Sequence, residues 1–303
     1  MADLADTTSR VLTVRHITVY RYNTPVTLGE HRMMFRPRES HDLRLVQTKL
    51  DIHPRPSQFR WLHDVFDNSF AIATFSGDPA LELRFESVVT LEHLEPPLPH
   101  YALEVEAQAY PFTYAADDAP SLVRALARHY PGDEVSRWAK RFVSPVAPTQ
   151  TMVLLETLAR GIKDEFRYVR RPERGVQRPE DTLRRRSGSC RDFALFMMEA
   201  VRSLGFAARF VSGYIFVPES ASGTRSVGGG ATHAWMQVYL PGAGWVDFDP
   251  TNSIVGNRNL IRVAVAWDHA HALPLWGTFT GAASSFIGMD VEVSVTEAAA
   301  SLQ

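Results

Sequence analysis

The chain has 303 residues, more than one domain usually contains, so two domains are expected. Its 45% hydrophobic and 22% charged residues are typical of a soluble globular protein, and a formal net charge of −2 argues against nucleic-acid and membrane partners. No apolar run is long enough to span a membrane, residues 1–10 lack the apolar segment of a signal peptide, and a single cysteine rules out an intramolecular disulfide. Because a reactive thiol survives best in a reducing compartment, we expect a cytoplasmic location.

The first third of the chain is predicted to be β-structure. Segments rich in β-branched and aromatic residues cover residues 11–22, 43–52, 69–75 and 81–91, and turn residues separate them. Short strands at this spacing indicate a small antiparallel β-sandwich.

A basic cluster lies within this region and consists of His31, Arg32, Arg36 and Arg38. It could form a site for an acidic substrate or a phosphate group, or it could be the solvated face of a strand. We favour the solvated face, because clustered charges are usually exposed to water.

A connector with five prolines follows in residues 94–120, and we place the domain boundary there, at residue 100. Helices are then predicted near residues 120–130, 132–143 and 149–165, the last from apolar residues that recur every fourth position. Near the end of the chain, two closing strands are predicted over residues 260–267 and 289–296.

The only cysteine, Cys190, lies at the start of a predicted helix. Ser189 followed by Asp192 matches a capping box, and Gly205 provides a C-cap after apolar residues spaced three and four apart. At the first helical position, unpaired N–H groups and the helix dipole favour a thiolate over a thiol. The pattern therefore predicts a nucleophile, although a lone cysteine is more often a small buried hydrophobic residue.

A histidine and a carboxylate follow on a predicted β-hairpin. Residues 232–240 alternate as a strand with His233 near its start, and a Pro-Gly turn leads to residues 245–249, which end in Asp249. Adjacent antiparallel strands would bring these two side chains within hydrogen-bonding distance. Cys190, His233 and Asp249 are thus a candidate nucleophile, base and orienting carboxylate.

The sequence around these three residues resembles that of bacterial transglutaminase-like proteins in the superfamily of papain-like thiol enzymes. The matching blocks are residues 188–194 (GSCRDFA) with their continuation to residue 214, residues 233–235 (HAW), and Gly244-Trp245 followed by residues 249–252 (DPTN). This combination is much more specific than a cysteine and a histidine alone.

The N-terminal region resembles the domain that accompanies such proteins, through YRY at residues 20–22, FRPR at residues 35–38 and DVFDN at residues 64–68. The family usually has glycine where this chain has Asp67. Because aspartate tolerates a left-handed turn, this departure leaves the resemblance intact.

The resemblance implies an α+β fold. Residues 11–100 would form an N-terminal antiparallel β-sandwich domain, and residues 101–297 a papain-like, transglutaminase-like catalytic domain with helices packed on an antiparallel sheet. It also implies that Cys190, His233 and Asp249 are the catalytic residues. The candidate substrate-binding residues are Trp235, Arg191 and Tyr214.

The implied reaction is acyl transfer through a cysteine thioester, with a peptide or protein amide as substrate, either a glutamine side chain or a peptide bond. Water as acceptor gives a protease or amidase, and an amine gives a transglutaminase. We favour hydrolysis, because water is always available and no amine-binding feature is visible. A non-catalytic binding protein with the same fold is the third possibility, and the intact triad argues against it. No cofactor or metal is expected, and the oligomeric state is left open.

Two segments near the site allow alternative interpretations. Arginines are frequent in residues 167–178 and 184–186, which form either a solvated entry loop or a subsite for acidic groups of the substrate; we favour the loop. Residues 218–230 are rich in Ser and Gly and form either a gate beside His233 or a plain surface loop.

Overall fold

The computed structural model describes residues 8–95, 101–171, 175–218 and 230–297. They form a large antiparallel sheet and a second region in which helices pack on a five-stranded antiparallel sheet. The predicted α+β class is therefore confirmed. None of the helices in these described ranges is long and apolar enough to cross a membrane.

The large sheet is built around one long strand. In chain order its first five strands are β1 (Thr8–Met33), β2 (Leu43–His53), β3 (Gln58–His63), β4 (Ser69–Thr74) and β5 (Pro79–Glu95), arranged β2-β5-β1-β4-β3. Four of them coincide with predicted strands. Strand β3 was not predicted: its apolar alternation is limited to Phe59 and Trp61, and all six of its residues are exposed.

The strand β1 changes partners along its length. Its first part pairs with β5 on one side and, on the other, with a strand from the end of the chain; after register shifts, its last residues pair with β4. Aromatic and aliphatic side chains from both parts of β1, including Tyr20 and Met33, pack with Phe35 and Phe85 in one core cluster. The first sheet therefore curves so that apolar side chains from both parts of β1 lie in one shared core.

Five helices and four very short strands form the middle of the chain. The helices are α1 (Ala119–Leu126), α2 (Asp133–Lys140), α3 (Thr151–Glu165), α4 (Pro179–Arg185) and α5 (Cys190–Ser203). The short strands are β6 (Ala109–Tyr110), β7 (Thr149–Gln150), β8 (Arg167–Tyr168) and β9 (Ser187–Gly188), paired β6 with β7 and, in parallel, β8 with β9. Helices α1 to α3 lie near their predicted positions, whereas α4 lies in the arginine-rich segment that was predicted to be a loop.

The buried helix α5 ends as its sequence predicts. Gly205 has a φ of +91°, and its N–H donates to the carbonyl of Arg202 at 3.0 Å. The N–H of Phe206 donates to the carbonyl of Val201 at 3.1 Å, which completes a Schellman motif. Because glycine adopts this backbone conformation without steric cost, Gly205 allows the chain to turn directly into the next strand.

The second sheet contains five strands: β10 (Ala208–Ile215), β11 (His233–Leu240), β12 (Gly244–Asp249), β13 (Ile254–Val255) and β14 (Leu260–Ala266), in the order β13-β12-β11-β10-β14. Helices α2, α3 and α5 cover one face of it and share a single apolar cluster with β10, β11 and β12. The predicted hairpin of β11 and β12 is present.

The last two strands return to the first sheet. Strands β15 (Leu275–Thr280) and β16 (Phe286–Glu297) both pair antiparallel with β1. The predicted division at residue 100 stays a prediction, but residues 275–297, which it assigns to the catalytic domain, hydrogen-bond within the N-terminal sheet. Contacts this distant in the chain leave no local pattern in the sequence.

A turn of the N-terminal region, residues 64–68, docks on β14. Asp67 has a φ of +60°, the left-handed conformation that the sequence predicts for the position where the family has glycine. The fully buried side chain of Asn68 donates to the carbonyl of Val265 at 2.8 Å and accepts from its N–H at 2.9 Å. This pair of hydrogen bonds fixes the turn against the second sheet.

Candidate active site

The start of α5 holds Cys190 in a closely packed position. Cys190 is the first helical residue and is only 6% exposed. The N–H of Ser189 donates to the carboxylate of Asp192 at 2.8 Å, as the predicted capping box requires. A side chain at position 188 would place its Cβ 2.8 Å from the Cβ of Asp192, so only glycine fits before this cap.

The carboxylate of Asp192 organises the surroundings of the helix start. It is fully buried and accepts from the N–H of Gln177 at 2.6 Å and from Nη1 of Arg171 at 2.7 and 2.9 Å. Burial opposes its charge, but the N–H groups of Gln177 and Ser189, aided by Arg171, hold the pKa of the Asp192 carboxyl below its usual value. Asp192 therefore ties the start of α5 to Arg171 and Gln177.

The histidine and the aspartate of the hairpin are hydrogen-bonded in the interior. Nε2 of His233, the first residue of β11, lies 2.8 Å from Oδ2 of Asp249, the last residue of β12, and neither side chain is exposed. The other contacts of Asp249 come from the turn that follows it: Nδ2 of Asn252 donates to Oδ2 at 2.8 Å, and the N–H of Thr251 donates to Oδ1 at 2.9 Å. Asp249 is thus held in place from two directions.

The charges of this pair depend on each other. Burial opposes a charge on His233, but the Asp249 carboxylate and then the Cys190 side chain outweigh it and raise the pKa of the imidazole to about 10. Burial also opposes a charge on Asp249, yet the imidazolium of His233 holds the pKa of that carboxyl below its usual value. Each group therefore keeps the other ionised at neutral pH.

The second nitrogen of the His233 imidazole, Nδ1, indicates the role that this residue can play. Nδ1 is buried and makes no hydrogen bond of normal length and angle, although Cys190 is close enough to raise the pKa of the ring. One nitrogen is thus held by the carboxylate while the other is available to exchange a proton with the thiol. This arrangement allows a cysteine nucleophile to be activated by a histidine base.

The structure places the three candidate substrate-binding residues differently. Arg191 follows Cys190 directly, and its Nη2 donates to the carbonyl of Arg171 at 3.2 Å. Trp235 is completely buried beside His233, with ring centroids 6.0 Å apart, and donates from Nε1 to Oδ1 of Asp247 at 2.6 Å. Its side chain has no exposed surface and packs beside the imidazole, and its assignment as a substrate-binding residue stays a prediction.

Tyr214 is also buried, at 2% exposure, and faces the N-terminal sheet. Its hydroxyl lies 3.0 Å from Nδ1 of His16 in β1, and its ring packs with Leu12 and Val14. The predicted substrate contact of Tyr214 is therefore replaced by a contact between the two sheets.

Sequence analysis missed one residue at the site, Tyr168 in β8. Burial and then the charge of Cys190 raise the pKa of the Tyr168 hydroxyl to about 12, and Arg191 and Asp249 also act on it. The pairing of β8 with β9 brings it here, since Tyr168 lies opposite Gly188, two residues before the nucleophile. No motif marks Tyr168, because a two-residue strand has no periodicity to detect.

The other charged segments are mostly engaged in ion pairs. In the arginine-rich segment, Arg184 pairs with Asp181 and Glu134, and Arg186 pairs with Glu165. These contacts anchor α4 and favour neither of the two interpretations as a loop or a subsite. Of the Ser- and Gly-rich segment predicted as a gate or a surface loop, residues 219–229 lie outside the described residues.

The basic cluster predicted near β1 does not share one solvated face. His31 is 2% exposed and packs inside the first sheet. Arg32 bonds to Glu30, whereas the Nη1 of Arg38 donates to the carbonyls of Phe66 and Asp67 in the turn at residues 64–68. The backbone N–H of Arg38 donates to the carbonyl of Arg262 in β14 at 2.8 Å. Strand β1 ends at Met33, so Arg36 and Arg38 lie outside the strand that contains His31 and Arg32.

Comparison with known families agrees with this geometry. The family described as the bacterial transglutaminase-like N-terminal region matches residues 12–92, and the transglutaminase-like superfamily matches residues 137–250. The second match contains Cys190, His233 and Asp249.

Bacterial relatives match nearly the whole chain. Over 287 residues it is 28% identical to an uncharacterised protein of Mycobacterium tuberculosis, covering 92% of this chain and 91% of the relative. An uncharacterised protein of Mycobacterium leprae is 25% identical over 282 residues, covering 93% and 97%. Among solved structures, a candidate cysteine protease of Cytophaga hutchinsonii superposes with a TM-score of 0.70 at 17% identity, covering 97% of this chain and 93% of that one. At such identity the likeness shows the fold alone.

Proposed function

We propose that this chain, which belongs to the transglutaminase-like superfamily and has its bacterial N-terminal region, is a thiol enzyme that hydrolyses amide bonds of peptides or proteins. One observation carries the proposal: Asp249 holds Nε2 of His233 at 2.8 Å, while Nδ1 makes no hydrogen bond of normal length and angle and the Cys190 side chain is close enough to raise the pKa of the ring. The raised pKa of His233 favours an imidazolium, which suits a thiolate partner.

In the acylation step, the Cys190 thiolate attacks the carbonyl carbon and forms a C–S bond. His233 gives its Nδ1 proton to the leaving nitrogen, the C–N bond breaks, and an amine or ammonia departs from a thioester. Asp249 keeps the imidazole in the required orientation and stabilises its charged form.

In the hydrolysis step, His233 accepts a proton from water as the water oxygen attacks the thioester. A C–O bond forms, the C–S bond breaks, and the carboxylic acid leaves with the thiolate–imidazolium pair restored. Neither step uses a metal or a cofactor, so we expect a chelator to leave the rate unchanged. The single cysteine and its reactive role also underlie our proposal of a cytoplasmic location.

The negative oxygen of the tetrahedral intermediate needs hydrogen-bond donors. The backbone N–H of Cys190, at the start of α5, is the first candidate. We assign the Tyr168 hydroxyl as the second candidate, because the pairing of β8 with β9 places Tyr168 opposite Gly188, two residues before Cys190. Burial and then the charge of Cys190 raise the pKa of this hydroxyl, which agrees with its nearness to the thiol. Gln177 is unsuited to this role, since its Nε2 already donates to the carbonyl of Ser187 at 3.0 Å and its N–H to Asp192.

The proposal is tested by following glutamine-containing peptides and denatured casein with mass spectrometry, with and without an added primary amine such as cadaverine. Wild-type protein should release cleaved or deamidated products, and Cys190→Ala should release none. Intact acyl-enzyme adducts should appear on Cys190 in rapidly quenched samples.

The outcome also separates the two acceptors. Hydrolysis products that persist in excess amine support the proposed hydrolase, whereas complete conversion to amine-linked products identifies a transglutaminase instead. Equal rates for wild-type protein and Cys190→Ala, with no adduct on Cys190, would contradict a thiol enzyme.

A further inference from the structure

A cavity lies on the same face of the β11–β12 hairpin as His233, but at the opposite end of the hairpin. Its volume is about 690 Å³, within the range of small-molecule sites. Residues 38–42 of the N-terminal region form one wall, and the β11–β12 hairpin with parts of β10 and β14 forms the other. Three arginines from three separate segments converge on it: Arg38, Arg209 and Arg262.

The charge of Arg262 is already compensated. Its Nη2 donates to both carboxylate oxygens of Asp42 at 2.6 and 2.7 Å, and its Nη1 donates to Oδ2 of Asp247 at 3.2 Å. Burial raises the pKa of the Asp247 carboxyl despite the nearby Arg262, so Asp247 contributes a weakened negative charge. Asp42 and Asp247 are therefore both engaged by one arginine. The third acidic residue that lines the cavity, Glu39, pairs with Arg36 at 3.7 Å.

The charge of Arg209 has no such compensation. Its Nε donates to Oε1 of Gln237 at 2.8 Å, and the guanidinium lies 4.1 Å from the centroid of the Trp245 ring. In the described part of the chain, no carboxylate lies within 4.0 Å of Arg209, and its two terminal nitrogens have no hydrogen-bond acceptor. Burial and the neighbouring Arg38 lower the pKa of this guanidinium. Because arginine stays charged in proteins, the lowered pKa marks a cation in an unfavourable environment.

Arg38 adds a second cation without an acidic partner. Its Nη1 donates only to uncharged oxygens, the carbonyls of Phe66 and Asp67 and the amide of Asn68. Within the described ranges, no ion pair joins Arg38 to a carboxylate, and burial lowers the pKa of its guanidinium. The carboxylates of Asp67 and Asp64 act on the Arg38 charge, and that of Asp247 on the Arg209 charge, without direct contact. Two partly buried guanidinium groups therefore line one cavity, and neither forms an ion pair with a described carboxylate.

We propose that this cavity binds a small anionic ligand whose carboxylate or phosphate group lies between Arg38 and Arg209. The guanidinium of Arg209 is already oriented by Gln237 and Trp245, so its two terminal nitrogens can form a paired contact with such a group. The Tyr101 hydroxyl, which also lines the cavity, supplies a further donor. The ligand would connect the N-terminal region to the second sheet, because one arginine comes from each.

The site is close to the catalytic residues in the sheet but separate from them. Asp247 receives the Trp235 hydrogen bond, and Trp235 stacks beside His233, so buried side chains fill the space between the cavity and the imidazole. The proposed ligand is therefore distinct from the amide substrate, and its binding does not depend on a reactive Cys190.

The test is isothermal titration of the full chain with inorganic phosphate and, separately, with succinate, at an ionic strength kept constant with sodium chloride. At least one of the two probes should bind wild-type protein and raise its Tm. Arg209→Gln and Arg38→Gln should each weaken binding at least about tenfold, since each removes a charge-assisted hydrogen bond. The probe that binds more tightly identifies the anionic group.

Two controls make the result decisive. Arg60→Gln removes an arginine from the exposed strand β3, and Cys190→Ala removes the nucleophile; both should bind the probe like wild-type protein. Absence of binding by both probes would overturn the proposal. Equal weakening by Arg60→Gln would also overturn it, as would wild-type affinity in both Arg209→Gln and Arg38→Gln.

Discussion

The two faces of the β11–β12 hairpin differ sharply in chemistry. On one face the side chains are apolar and pack under α5: Ala234, Met236, Val238, Leu240, Val246 and Phe248. The opposite face carries polar and aromatic side chains: His233, Trp235, Gln237, Trp245, Asp247 and Asp249. Both faces are buried along most of their length, yet only the second can carry out acid–base chemistry or bind an ion.

This difference shows how one pair of strands serves stability and function together. The apolar face contributes to stability through buried area, which tolerates substitutions of similar volume. The polar face has buried charges that are costly unless each has a partner, so its geometry is specific. We therefore expect substitutions on the apolar face to change mainly stability, and substitutions of the ionised residues on the polar face, His233 and Asp249, to change mainly reactivity.

The largest expected effect is that of Asp249→Asn on the polar face. An amide keeps the size of the side chain but cannot stabilise the imidazolium, so turnover of a peptide amide should fall by about 10³–10⁴-fold. Steady-state kinetics would measure the loss, and circular dichroism would check that the fold is retained. A loss below tenfold would show that Asp249 does not orient His233.

On the apolar face, Phe248→Ala should destabilise the protein by about 3–5 kcal/mol, because it leaves a cavity in a fully buried cluster. Urea unfolding measures this change, with Phe248→Leu as a milder control. At low temperature the folded fraction should keep most of its activity. Loss of activity without loss of stability would remove the distinction between the faces.

The effect of pH on stability tests the ionisation of the polar face. The pKa of His233 is raised, so the stabilisation from its pair with Asp249 is fully present below the ordinary histidine value of about 6.5. It is lost as pH rises towards the folded pKa of about 10. The difference in unfolding free energy between wild-type protein and His233→Ala should therefore be larger at pH 6 than at pH 10, and a constant difference would contradict a charged imidazole.

The smallest effect is expected from Trp235→Phe, which keeps the ring packing but removes the Nε1 donor to Asp247. Stability should fall by about 1–3 kcal/mol, the cost of leaving a buried acceptor with one partner fewer. Activity should change little, because Asp249 still holds His233. A severe loss of activity at normal stability would give Trp235 a direct part in the reaction.

Local sequence patterns were sufficient to predict the catalytic core. Alternation with a period of two marked both strands of the hairpin, the three- and four-residue spacing marked α5, and the Ser189–Asp192 cap placed Cys190 at the first helical position. These features depend on residues close together in the chain. The resemblance then predicted which of the polar residues would form a triad.

Features that join distant segments were not predictable. Pairing of β16 with β1 and the hydrogen bond of Tyr214 with His16 connect residues nearly 200 or more positions apart, and neither leaves a local periodicity. The same reason explains why Arg38 was assigned to a solvated strand face, since its hydrogen-bond partners lie in the turn at residues 66–68 and in β14. Tyr168 was overlooked because its role depends on the pairing of β8 with β9.

The most direct test of the central claim is the rate of Cys190 alkylation by iodoacetamide as a function of pH, in wild-type protein and in His233→Ala. The chain has one cysteine, so the reaction reports this thiol alone. An activated pair predicts that the wild-type rate stays nearly constant between about pH 6 and pH 8.5, while the variant slows about tenfold per pH unit below 8.5, as an ordinary cysteine does. The same pH profile in both proteins would contradict an activated cysteine–histidine pair.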